Sequence, residues 1–373
     1  MSVDPQAFSG ANGARVYRLP LEVFPGLLGY AHLLLDDGFA ALVDCGSGFG
    51  DSNAQLEAGL RAVRERHGES VDWADLTHVL ITHAHIDHFG GLRFVRQHTS
   101  APVGIHELDL RVLTHYEQRL EVIDRRLAEF LADTGLESEQ EKELLNLYRL
   151  HKHLFASVEV DFTIQAREMR VGPLEVIHVP GHCPGHVVFR WQDLLLAGDH
   201  VLIGISPHLA PERLSLNIGL GHYLESLGRV WAMAPSLRLT LPGHGPVIED
   251  VAARIEAIED LHAARLARVL DFASAPRTLA QISRELFPQA SGYHGLLAIE
   301  EAGAHVEFLC ERGYLAMDSD RAAAPRASRY VRLDPSRPPL PDVGGWRVRR
   351  SAVAAPQLDV SGHAHRRSSV ADV

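Results

Sequence analysis

Two kinds of hydrophobic patterning alternate along the chain. VYRLPLEVF, YAHLLLDDG and FAALVDCG are short apolar or alternating runs separated by turn residues, the pattern of β-strands, whereas AQLEAGLRAVRERHG places its apolar residues at helical spacing. DLTHVLIT, Asp75 to Thr82, predicts a buried strand, and GGLRFVRQH opens a helix soon after it. PVGIH predicts an edge strand. From about Glu107 the pattern changes: Leu120, Ile123, Leu127, Phe130 and Leu131 recur at three- and four-residue steps through a highly charged segment that reaches about Phe155. This predicts a helical insertion, with Tyr116, Tyr148 and Phe155 as candidates for an apolar wall over a cleft or for packing against the domain or a second subunit. Strand patterns resume in EVDFTIQ, LEVIHVP, HVVFRW and DLLLAG, and a helix around Leu224 to Ala232 precedes the short strand LRLTLPGHG. The alternation predicts an α/β fold.

After Pro246 the order is three helices, VAARIEAIEDLHAARLARVLDF, TLAQISRELF and GLLAIEEAGAHVEFLCERGYL, then a possible strand at YLAMD. That is the order of a winged helix. From about Ser319 the sequence is rich in Arg, Pro, Ala and Ser with little periodicity, the composition of a disordered tail. The expected organisation is an N-terminal tail over 1–14, a catalytic domain over 15–250 with its insertion at about 107–155, a winged-helix-like domain over 251–318, and a tail over 319–373.

Composition narrows the partners. Of 373 residues, 46% are hydrophobic and 23% charged, as in ordinary globular proteins. The net charge of −12 works against a polyanionic partner. MSVDPQAFSGANG has no basic and apolar leader, and no apolar run approaches the ~20 residues needed to cross a bilayer. Cys45, Cys183 and Cys310 are scattered and odd in number, which fits a reducing compartment. A cytoplasmic location and no membrane contact are expected.

Chemistry concentrates in THAHIDHFGG, Thr82 to Gly91, with three histidines and an aspartate inside six positions. In an extended segment His83 and His85 point the same way, so two imidazoles can converge on one ion. Asp87 and His88 lie where the chain turns towards Gly90 and Gly91, and can aim at a second position. Imidazole and carboxylate suit zinc and similar metals. The same kind of junction recurs: LEVIHV ends in PGHCPGHV, LLLAG ends in Asp199, and LRLTLPGHGP presents His244 between glycines. His83, His85, Asp87, His88, His182, Asp199 and His244 therefore form a complete two-metal donor set.

THAHIDH, PGHCPGH, AGDH and PGHG, in that order over Ile81 to His244, resemble the motifs of metallo-β-lactamase superfamily hydrolases of the glyoxalase II-like kind. The resemblance implies a four-layer αββα sandwich with the metals in the cleft between its sheets. It also implies that His83, His85 and His182 hold one ion, that Asp87, His88 and His244 hold the other, and that Asp199 bridges them. Two divalent ions, zinc by default with manganese or iron as alternatives, would share a water whose pKa falls from about 15.7 to near 7. The nucleophile would then be metal-bound hydroxide, with Asp87 and Asp199 offsetting charge and orienting it.

Neighbouring residues have quieter readings. His186 is open between support of a ligand and plain packing, and Asp44 between bonding a ligand histidine and capping its turn. His200 and His178 read as structural, Cys183 as a small packing residue.

The motifs serve thioesterases, lactonases, β-lactamases, nucleases and phosphodiesterases alike. The leading expectation is a hydrolase of thioesters, lactones or related acyl esters. The alternative is an endoribonuclease or phosphodiesterase, because residues 251–318 resemble the winged helix of another branch that includes a mitochondrial endoribonuclease of animals. A mono-iron persulfide dioxygenase, which shares part of the ligand set, ranks lower. Residues 251–318 hold six arginines and no lysine against ten acids, a net of −4, which disfavours phosphate tracking. If this region is a scaffold or a homodimer surface, charge reversal at Glu300 and Glu301 should leave small-molecule turnover almost unchanged.

Overall fold

The computed structural model describes residues 4–150, 152, 155–165, 170–318 and 327–336. The first sheet joins β1 (Gln6–Ser9), β2 (Arg15–Phe24), β3 (Leu27–Asp36), β4 (Phe39–Val43), β5 (His78–Leu80), β6 (Val103–His106) and β7 (Phe162–Ile164) in chain order. β1 to β4 form an antiparallel meander, and β4 to β7 run parallel. The second sheet joins β8 (Arg170–Val171), β9 (Leu174–His178), β10 (Val187–Trp191), β11 (Leu194–Gly198) and β12 (Leu239–Pro242), with only β11 and β12 parallel.

The period of two in the strands builds the layers. On β3, Leu34 packs between the sheets while Leu33 and Leu35 face outward into a second cluster. Leu80 likewise faces inward between Val79 and Ile81. In the second sheet Val187, Phe189, Leu194 and Leu196 face inward, whereas Val188 and Leu195 face the outer helices. Side chains of successive residues leave a strand on opposite faces, so buried strands of this kind need apolar residues at every position.

Helices cover both outer faces. α1 (Ser52–His67), the one-turn α2 (Ile86–Phe89) and α3 (Leu92–His98) lie on the first sheet. α1 stops at Gly68, whose φ of 71° suits a left-handed cap. α4 (Leu110–Thr114), α5 (Tyr116–Ala132) and α6 (Ser138–Arg149) make up the insertion. α7 (Leu220–Met233) lies on the second sheet, followed by α8 (Val251–Phe272), α9 (Leu279–Leu286) and α10 (Gly292–Glu311). One apolar cluster runs through all of these later elements: Leu127 and Phe130 of α5, Val188 and Leu195 of the sheet, Leu224 of α7, Ile255 of α8, Ile282 of α9 and Ile299 of α10.

The arrangement is a helix–sheet–sheet–helix sandwich, the mixed α/β architecture expected. Three expectations change. Residues 6–9 are not tail but pair with 15–18 as an edge strand. PVGIH supplies an interior strand, because β7 pairs beyond it as the edge. Within the expected C-terminal tail, β15 (Arg329–Arg332) pairs with both β13 (Arg277–Thr278) and β14 (Leu315–Met317) as the middle of a third sheet. Residues 319–326 and 337–373 of that tail lie outside the described residues. No described helix is long and apolar enough to cross a membrane.

Candidate metal centre

Four strands deliver the donors from their C-terminal ends. β5 leads to His83, His85, Asp87 and His88, β9 to His182, β11 to Asp199 and β12 to His244. The two sheets are tied at this end by the Tyr30 amide, which donates to the Gly243 carbonyl at 2.9 Å. Gly243 has to lack a side chain, since a Cβ there would stand 2.7 Å from both Asp199 Oδ1 and His88 Cε1.

The donors fall into two groups, His83, His85, His182 and Cys183 in one and Asp87, His88, Asp199 and His244 in the other, with the donor atoms of each within 4.8 Å of one another. In the first, His83 Nε2 lies 3.2 Å from His85 Nδ1. In the second, His244 Nε2 lies 3.2 Å from Asp87 Oδ2, and His88 Nε2 lies 4.0 Å from that same oxygen. The Asp199 carboxylate spans both: Oδ2 is 3.8 Å from His182 Nε2, and Oδ1 is 3.4 Å from His88 Nε2 and 3.6 Å from His244 Nε2. Donors on a tetrahedral zinc are about 3.3 Å apart, given bonds near 2.0–2.1 Å. His88 Nε2, His182 Nε2 and Asp199 Oδ1 are buried without a hydrogen-bond partner. Buried polar atoms are rarely left so, and three of them converging fit a pair of divalent cations.

Electrostatics agree. Burial first, then the neighbouring imidazoles, hold His83 well below its ordinary range, which is the neutral form a metal requires. For His88 burial pulls the same way, but the charges of Asp199 and Asp44 outweigh it and raise the group. Burial likewise opposes ionisation of Asp87, yet its hydrogen bond to His244 and the His88 charge hold it well below the usual carboxylate range. The second group thus carries an anionic field that a cation would satisfy.

Second-layer contacts fix the ring orientations. Asp44, in a left-handed backbone conformation (φ 59°), accepts from Thr82 N at 2.8 Å and Thr82 Oγ1 at 2.9 Å, and lies 2.8 Å from His88 Nδ1. Thr82 Oγ1 is also 3.0 Å from His83 Nδ1. With Nδ1 of each ring engaged, Nε2 faces the metal positions. His244 Nδ1 is held 2.8 Å from the Leu28 carbonyl and His182 Nδ1 2.7 Å from that of His208. His186 accepts from the Asp199 amide at 3.1 Å and stacks on His83 at 4.6 Å, so it supports two donors. His178 stacks on His106 at 4.1 Å, and His200 is buried with its carbonyl accepting from Tyr223.

The structure bears on three of the sequence readings. Cys183 packs inside the first donor group, with Sγ 3.4 Å from His85 Nε2. Of the alternatives for Tyr116 and Phe155, packing against the domain is the one their contacts support. Tyr116 is 5% exposed and packs on Phe89 at 6.3 Å and on Phe155 at 6.5 Å. Glu300 and Glu301, whose charge reversal is expected from the sequence to leave turnover almost unchanged, are 9% and 6% exposed, and Glu300 reaches His208 while Glu301 holds Leu209.

Sequence reading also missed Asp109. Its buried carboxylate accepts from Ala84 N at 3.0 Å and from Gly185 N at 2.8 Å, clasping two donor loops together, and burial pushes it up to about 6 against those hydrogen bonds. A third grouping, His262, Glu301 and His305, is already engaged internally: His262 bonds His305, His305 bonds the Glu301 carbonyl, and Arg265 bonds the Glu301 carboxylate.

Two sheets back to back, with a shared carboxylate between two nitrogen-rich donor groups at their common end, describe a metal-dependent hydrolase. The chain belongs to the metallo-β-lactamase superfamily, whose pattern it matches over residues 25–267. A metallo-β-lactamase family protein of Thermus thermophilus superposes with a TM-score of 0.66 at 26% identity, covering 85% of this chain and 98% of that one. A β-lactamase domain protein from Burkholderia ambifaria gives 0.65 at 25% identity, covering 88% and 93%. In sequence, the chain is 27% identical over 181 residues to a Bacillus subtilis (strain 168) protein named "Probable metallo-hydrolase YqgX", covering 45% of this chain and 68% of that one.

Proposed function

We propose that this protein is a dinuclear-metal hydrolase of thioesters, lactones or related acyl esters, with zinc as the expected metal. The observation that carries the reading is the Asp199 carboxylate, whose two oxygens face two separate groups of imidazole donors. His83, His85 and His182 would hold one ion, Asp87, His88 and His244 the other, and Asp199 both. When bound, such ions supply Lewis acidity to a substrate oxygen and acidify a water. Asp87 and Asp199 offset the cationic charge and accept the hydrogen bonds that orient the attacking water. His186, Asp44 and Thr82 keep the donor rings from turning.

The C-terminal region supports acyl over nucleic-acid substrates. The winged-helix-like expectation calls for an exposed helix to meet nucleic acid, yet α10 buries twelve residues. Each of the six arginines of residues 251–318 hydrogen-bonds within the chain, three of them to carboxylates. Arg254 bonds Leu202 and Ile205 carbonyls, Arg265 Glu301, Arg268 Glu285, Arg277 the Phe272 carbonyl, Arg284 the Ala280 carbonyl and Arg312 Glu311. The net charge of −4, with half of these arginines paired to carboxylates, works against a surface that tracks phosphates.

The test is a panel of thioesters, lactones, phosphodiesters and RNA offered to purified protein of measured metal content. Two divalent ions per chain with turnover of an acyl ester is the expected result. One tightly held iron with oxygen consumption on a persulfide would overturn it, as would salt-sensitive, sub-micromolar RNA binding with cleavage.

A further inference from the structure

The segment that holds His182 is itself laid along α10. His182 Nδ1 is 2.7 Å from the His208 carbonyl oxygen, which turns Nε2 towards Asp199. The side chain of His208 does not face the centre: its Nε2 lies 2.7 Å from Glu300 Oε2. One residue on, the Leu209 amide donates to Glu301 Oε2 at 2.9 Å, and Arg265 of α8 donates to Glu301 Oε1 at 2.9 Å. Further along, Pro211 packs where Gly303 has no side chain, with 3.2 Å between Pro211 Cγ and a Cβ built there, and the Glu212 amide donates to Glu307 Oε1 at 2.8 Å. Glu300, Gly303 and Glu307 are spaced by three and four residues, so they lie on one stripe of the helix. Carboxylates as buried as Glu300 and Glu301 are uncommon unless their partners demand them.

A helix merely docked against the domain could be held by the apolar cluster alone. Here its glutamates converge instead on His208, Leu209 and Glu212, in the segment whose His208 carbonyl is the acceptor for a metal-facing imidazole. Outer contacts of this kind set both the tautomer and the direction of a metal-binding histidine.

We propose that Glu300 of α10 is a positioning residue for His182, acting through His208, so that the C-terminal helices complete the support of the first metal position. The proposal rests on the dinuclear reading of the site.

Its test uses the full chain freed of metal and reloaded stepwise with zinc or cobalt(II) against a competing chelator. Glu300→Ala should weaken one binding step by about 10- to 100-fold. That step should be the one that survives in Asp87→Ala, which keeps the first position's imidazoles, and the other step should stay within about threefold. Glu300→Gln, whose amide oxygen still accepts from His208, should restore affinity, and the cobalt(II) absorption of the first position should change in Glu300→Ala only. Should Glu300→Ala not fold, Glu300→Asp, with its carboxylate drawn back from His208, carries the same comparison. Both steps unchanged, both weakened together with a fall in metal-free stability, or a Gln variant as damaged as Ala would each overturn the proposal. A wild-type chain that binds only one ion would sink the dinuclear reading instead, while the effect of Glu300→Ala on that remaining step would still decide the positioning role.

Discussion

Asp199 and Cys183 both border the donor groups, and single substitutions at them test the mechanism in opposite directions. Asp199 faces both groups with different oxygens, so Asp199→Ala should lose metal from at least one position and lower kcat/KM by at least ~10²-fold, about 2.7 kcal/mol of transition-state stabilisation. Cys183 lies beside His85 Nε2, whereas His85 Nδ1 is the atom that meets His83. Cys183→Ala should therefore cost less than about tenfold, with metal content and kcat/KM read on the same preparations. A near-normal Asp199→Ala enzyme would refute the bridging role, and a dead Cys183→Ala enzyme retaining both ions would point to a thiol nucleophile paired with His85. The candidate donors that the structure brings together could be picked out from sequence because they follow apolar runs beside small residues, as in PGHC and PGHG. Asp109, His208 and Glu300 could not. Their roles exist only through contacts across 25, 76 and 92 positions, and nothing in HELDL or AIEEAG marks them locally.

Among the elements, long or strongly patterned ones were legible and weakly patterned ones were not. Leu33 to Leu35 and Leu194 to Leu196 announce buried strands because both faces of each strand meet an apolar layer. β1 escaped notice since QAFS is four residues with mostly exposed side chains, and only its pairing with β2 makes it a strand. β15 escaped because RYVR sits in an arginine- and proline-rich stretch, and one of its two partners, β13, comes from much earlier in the chain. The insertion was read as helical from the spacing of Leu127, Phe130 and Leu131, but its partner was not visible. Phe130 of α5 proves to pack against α10 beside Gly303, where a Cβ would lie 3.1 Å from its ring. It is 3% exposed within the large cluster. Phe130→Ala should cost about 3–5 kcal/mol in urea denaturation, from lost burial and the cavity left behind. A loss below about 1 kcal/mol would mean that α5 and α10 are not packed as described.

For the molecule as a whole, the question is whether the C-terminal helices are a detachable module or part of the catalytic unit. α8, α9 and α10 share one apolar cluster with α5, α7 and the outer face of the second sheet, and the Asp133 carboxylate accepts from Ser328 in the stretch that leads into β15. Ending the chain at Asp250 would uncover part of α7, which packs against both α8 and α10 in the intact protein. It would also remove the glutamates that bond the His208 imidazole and the Leu209 amide. Burial of apolar area is worth roughly 25 cal/mol per Å², and a domain has only about 5–15 kcal/mol of net stability to lose. The truncated chain should therefore aggregate or unfold without cooperativity, and the intact chain should show a single unfolding transition by circular dichroism and by tryptophan fluorescence together. A chain ending at Asp250 that stayed folded and monomeric, with both metal positions filled at wild-type affinity, would show the helices to be an appendage and would remove the structural basis for any role of α10 in the metal centre.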